Sequence, residues 1–140
     1  AAARGDLRGA TLDWRDDAQT ILICRIEGDF GIDTYAVMEG QLPLMVREVE
    51  HRVDVIFHLY DGASLPPIGG LIREIDILLN VMPPNLGYFI GVGNGWFLTN
   101  PLVVALASGL KGVVFKANAP KIRVASSVEN AIDIARTPAV

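Results

Sequence analysis

The run Val-Asp-Val-Ile-Phe-His-Leu-Tyr-Asp at residues 53–61 decides the fold. Most of its residues are β-branched or aromatic, Gly62 and the Pro66-Pro67 pair stop it, and segments of helical periodicity lie on both sides. That is the pattern of a central strand in an α/β sheet with a site-bearing loop behind it. Upstream, Tyr35, Met38, Leu42, Met45 and Val49 recur at steps of three and four, so a helix is expected after Gly28. Asp33 suits the positive end of its dipole, and Pro43 removes one backbone donor and should kink it. Before that helix, residues 11–14 and 20–27 read as a hairpin turning at Arg15-Asp16-Asp17. The first ten residues read as a loosely ordered lead, and residues 11–140 as one domain.

Downstream, Leu71, Ile72, Ile75, Leu78, Leu79 and Met82 mark a second amphipathic helix from Ile68, with Arg73, Glu74 and Asp76 on its solvent side. Pro83-Pro84 ends it. Residues 86–92 follow as a strand with almost no polar side chains, as expected of a strand covered on both faces. Asn100-Pro101 is a helix start, a capping residue followed by proline at the first helical position, and the helix should run to about residue 117. A short strand at 121–125 leads to a last helix at 128–136, for which Ser126 and Glu129 have capping-box spacing. The expected fold is therefore a single-domain α/β protein. A mixed, mostly parallel sheet is packed by about four helices, in the order ββαβαβαβα.

The 140 residues suffice to bury a core without disulfides or a metal, and 51% hydrophobic with 20% charged residues is globular composition. A net charge of -4 supplies no basic face, so neither nucleic acid nor an anionic membrane surface is expected as a partner. The single cysteine, Cys24, lies in an apolar run and reads as a small buried hydrophobe, which suits a cytoplasmic protein. No basic, leucine-rich signal segment opens the chain, and its start on Ala-Ala-Ala leaves room for native sequence before Ala1. Arg4-Gly5-Asp6 spells the integrin tripeptide, a match too short to carry a function.

Four local features together resemble the SpoIIAA-like branch of the STAS domain family. They are His51-Arg52-Val53-Asp54-Val55-Ile56, the Leu65-Pro66-Pro67 loop, the Met82-Pro83-Pro84-Asn85 turn before a hydrophobic strand, and Ser126-Ser127-Val128-Glu129-Asn130-Ala131. The resemblance covers residues 20–136. It implies a small cytoplasmic α/β domain that docks onto other proteins and has no chemistry of its own. Regulatory members of that family are switched by phosphorylation of a serine where the helix after the central strand begins. Loop length places that position at Ile68 or Gly69, neither of which has a hydroxyl, and Ser64 lies a few residues early as a possible phosphosite. Phosphate there would add roughly two negative charges near a helix N-terminus, where they are favoured.

His58, Asp61 and Ser64 are the residue types of a hydrolase triad, but residues on one strand and its turn point in different directions, and no nucleophile elbow surrounds Ser64. His58 reads instead as a satisfied sheet-face histidine and His51 as a helix C-terminal one. With Cys24 they show no metal-ligand spacing, so neither a metal nor a cofactor is expected, and no residue is assigned as catalytic. Gly91-x-Gly93-x-Gly95 follows a strand, yet Trp96 stands where a dinucleotide fingerprint has its third glycine. Ligands in open α/β sheets gather at the carboxyl ends of strands. Asp61, Gly62, Ser64, Gly91, Gly93 and Asn94, in loops 61–68 and 91–96, therefore form the alternative, small-ligand site.

Residues 77–110 carry no charge, and the helix at their end is apolar nearly all round. A surface helix keeps a wide polar face, so Trp96, Phe97, Leu102, Val103, Leu106, Leu110, Val113 and Val114 should remain partly exposed and meet a partner. That partner is expected to be a second copy or a larger protein. The stretch is long enough to span a bilayer, but Pro83, Pro84, Asn85, Asn94, Asn100 and Pro101 break it into strand, loop and helix, so membrane contact ranks last.

Overall fold

The computed structural model describes residues 5–7, 10–26, 32–60, 68–93 and 116–137. Within them, six strands form one sheet in which every strand lies beside its neighbour in sequence. These are β1 (Gly5–Leu7), β2 (Ala10–Trp14), β3 (Ile21–Ile26), β4 (Val53–Leu59), β5 (Leu86–Val92) and β6 (Ile122–Ala125). β1, β2 and β3 pair antiparallel, whereas β3 to β6 run parallel. Helices α1 (Ile32–Arg47), α2 (Ile68–Val81) and α3 (Val128–Ala135) flank the sheet, and a 3-10 turn, Lys116–Lys121, leads into β6. The chain is thus the mixed α/β protein that its periodicities predict.

β4 is central because both of its faces find cover. Val53, Val55, Phe57 and Leu59 point to a core shared with Met38, Leu42, Met45 and Val46 of α1 and with Leu78 and Leu79 of α2. Ile56 points the other way, into a smaller core with Ile21, Ile23, Tyr88 and Ile90 against Ala131 and Ala135 of α3. The two alanines stand one helical turn apart, and their small side chains let α3 lie close to the strands. Phe57 and Phe89 stack with ring centroids 5.9 Å apart in the larger core. Cys24 is fully buried there with its Sγ 3.7 Å from Met38 Sδ, and burial pushes its thiol up to about 12, so it packs as the small hydrophobe its setting predicts.

α1 runs on through the buried Pro43, as its apolar periodicity predicts, and ends at Arg47. Three details depart from the sequence expectations. Gly5–Leu7 lies in the segment read as loosely held, yet it pairs with β2 as an edge strand. His51 lies beyond that helix end rather than on it, and its Nε2 donates to the Gln19 carbonyl at 2.9 Å, tying the β2–β3 turn to the approach to β4. The cap of α3 is Ser127 rather than Ser126, because Ser127 is the extended residue (φ -154, ψ 167) from which the helix departs. Its hydroxyl accepts from the Asn130 N–H at 3.1 Å, and Asn130 Oδ1 in turn accepts from the Ser126 N–H at 3.3 Å. The two bonds differ from a capping box in that the Asn130 side chain, standing in place of Glu129, reaches the N–H of the residue before the cap instead of the cap's own. Ser127→Ala should therefore lower stability by about 1 kcal/mol in urea unfolding, and Ser126→Ala should leave it nearly unchanged. Equal losses would refute the assignment.

Candidate functional site

The polar centre of the described structure begins with an irregularity in the sheet. Val53 lies opposite Leu86 but Val55 lies opposite Phe89, so β5 carries one residue more than β4 over this step. Such a bulge leaves a backbone group without its ladder partner. Asp54 supplies one, because its Oδ1 accepts the Tyr88 N–H at 2.6 Å. The same oxygen takes Arg52 Nε at 3.1 Å and Nη2 at 2.9 Å. Gly87 makes room for this arrangement, since a Cβ there would stand 2.3 Å from Asp54 Oδ1 and 2.4 Å from Arg52 Nε.

Arg52 also reaches the end of α3, where Nη1 donates to the Thr137 carbonyl at 2.7 Å and Nη2 to the Ala135 carbonyl at 3.1 Å. Ala135 is the last residue of α3, so its carbonyl belongs to the negative end of the helix, where a cation is favoured, and Thr137 lies two residues past it. The Arg52 guanidinium lies 5.2 Å from the centre of the Tyr88 ring, and that of Arg123 lies 4.7 Å from it. Asp54 is 4% exposed. Burial pushes its carboxyl up, outweighing the opposing bond from the Tyr88 N–H and the bonds and charge of Arg52.

Beside this centre, the turn between β2 and β3 is fixed by Asp16. Its Oδ1 accepts the Thr20 N–H at 2.9 Å and the Ile21 N–H at 3.1 Å, while Oδ2 accepts the Thr20 hydroxyl. Burial works against the Asp16 carboxylate, but these bonds prevail and hold it below the ordinary aspartate value. Between the turn, the start of β4 and the end of α3 lies an open cleft of about 380 Å³. Arg15, Asp16, Thr20, Arg52, Asp54 and Arg136 give it polar walls, and Ile21, Ile132 and Ala135 give it an apolar side.

This cleft sits at the amino ends of β3 and β4, the opposite end of the sheet from the loops singled out in the sequence. Of those loop residues, Gly91 is buried on β5 beside Phe57 and Val124, and Gly93 is half-buried just past the strand end. Asp61, Gly62, Ser64 and Asn94 lie outside the described residues, as do Trp96, Phe97, Leu102, Val103, Leu106, Leu110, Val113 and Val114. His58 is half-buried on β4 with its ring 4.3 Å from that of Tyr60. Among the described residues no group of three or more His, Cys, Asp or Glu could hold a metal, and no helix is long and apolar enough to cross a membrane. The cleft was not anticipated, although one signal for it is present: Asp54 is the single carboxylate in a strand whose other residues, His58 apart, are apolar. Compared with known proteins, the chain matches no family model, no curated protein and no solved structure.

Proposed function

We propose that the protein is a non-catalytic interaction module of the SpoIIAA-like kind, working in the cytoplasm by self-association through the apolar 96–115 segment. The observation that carries this reading is topological. Two antiparallel strands lead into four parallel strands in sequential order, with α1 and α2 on one face and α3 on the other. That arrangement agrees with the fold implied by the resemblance, whose members act by docking onto other proteins. The helical face adds apolar surface of its own: Leu44 of α1 is 55% exposed, and Ile77 and Val81, one turn apart on α2, are 37% and 48% exposed.

Sedimentation equilibrium over a concentration series tests the reading. The expected result is a dimer that dissociates on dilution, with Leu106→Glu weakening it by about tenfold or more, since a charge would be buried at the centre of the contact. Two results would overturn it: a monomer at every soluble concentration, or a dimer of unchanged strength in Leu106→Glu.

A further inference from the structure

We infer that the cleft at the amino ends of β3 and β4 binds a small hydroxylated organic anion, a carboxylate or a phosphate ester. Its charges divide into those already committed and those that are not. Asp16 has its carboxylate spread over three donors, and Arg52 is balanced by Asp54 and by the carbonyls of Ala135 and Thr137. Arg15 and Arg136 are exposed on the rim, and neither guanidinium has an ion-pair or hydrogen-bond partner among the described residues. Three arginines against two aspartates leave the cleft positive on a chain whose net charge is -4. Guanidinium groups are suited to carboxylate and phosphate because their paired N–H groups match two oxygens at once.

The hydroxyl requirement comes from the floor. All three donors to Asp54 converge on Oδ1, and no described group donates to Oδ2, although the residue is 4% exposed and lines the cleft. Oδ2 is not sealed off by the protein, and a ligand hydroxyl entering the cleft would supply the donor it lacks. The apolar side formed by Ile21, Ile132 and Ala135 suits a short carbon backbone. At about 380 Å³ the space is of the size that holds small molecules.

This inference is independent of self-association, and its test is a binding measurement on the intact chain. Glycerol 3-phosphate, propyl phosphate, lactate and propanoate would be titrated at constant ionic strength and followed by amide chemical shifts of residues 15–21, 52–54 and 132–137. Glycerol 3-phosphate should bind more tightly than propyl phosphate, and lactate more tightly than propanoate, with shifts confined to these residues. The better pair identifies the anion. Arg15→Gln/Arg136→Gln alters two exposed side chains and should leave the melting temperature in place while weakening binding about tenfold or more. Equal affinities within both pairs, shifts that sodium chloride reproduces, or an unchanged titration in the double variant would each overturn the inference.

Discussion

Arg52→Ala should destabilise the protein by about 2–4 kcal/mol at neutral pH, and the loss should shrink as the pH is lowered. The substitution removes both Arg52 bonds to Asp54 Oδ1 and the bonds to the Ala135 and Thr137 carbonyls. What remains is a carboxylate, 5% exposed in its side chain, with a single donor in Tyr88 N–H. Breaking a fully buried pair typically costs about 3–5 kcal/mol. Here the Arg52 side chain is 32% exposed, so water already screens part of the attraction, and the expected loss falls about 1 kcal/mol below that range.

The pH dependence follows from Asp54. Its carboxyl is raised in the folded state by burial. A group raised in this way favours folding when protonated, so its contribution is fully present below the unfolded value of about 3.9 and is lost as pH rises through the folded value. Removing Arg52 deletes the bonds and the charge that oppose the rise, so the folded value moves further up and the loss extends toward neutrality. Urea unfolding of both proteins at neutral pH and near the unfolded carboxylate value should therefore show the gap narrowing in acid. The bonds to the Ala135 and Thr137 carbonyls do not titrate, and they set the part that persists. A gap independent of pH would mean that the pair does not carry the destabilisation.

How much of this was legible beforehand depends on how far apart the participating residues lie in the chain. Val53–Leu59, Ile68–Val81 and Leu86–Val92 coincide with the sequence reading because a few adjacent residues carry each signal: a β-branched run, an apolar stripe at helical spacing, a proline pair as punctuation. Ser127 was missed by a single position, since two adjacent serines offer the same hydroxyl and only backbone geometry decides which of them caps. The bulge at Gly87 left no local mark, because it is a mismatch in count between two strands more than thirty residues apart. The cleft is built from residues 15–21, 52–54 and 132–136, and no spacing rule links three such segments. Ligand-site rules for parallel sheets direct attention to the carboxyl ends, which is why the opposite end was passed over.

Asn85 shows the same limit and carries the other large effect. In the sequence it is a turn residue after Pro83-Pro84, whereas in the structure its Nδ2 donates to the carbonyls of Val46 at 2.9 Å, Val49 at 3.1 Å and His51 at 3.0 Å. Three acceptors around one atom identify it as the amide nitrogen. Two N–H groups serve three carbonyls, so one hydrogen is shared. The Asn85 carbonyl accepts the Val53 N–H at 2.9 Å, so one residue joins the end of α1 to the first residue of β4. Asn85→Asp keeps the shape but turns a donor into a charged acceptor facing three carbonyls, of which that of Val46 belongs to the negative end of α1. The lost bonds and the charge against the dipole together give an expected loss of about 3 kcal/mol at neutral pH. Asn85→Ala should lose less, about 1–2 kcal/mol, because it removes the donor without introducing a charge. In the Asp variant the folded carboxyl should be raised, so stability returns as pH falls, when a protonated carboxyl can again donate. Urea midpoints of the two variants across acid and neutral pH check both the order and the trend. If Asn85→Asp is no less stable than Asn85→Ala at neutral pH, the amide does not hold α1 to β4.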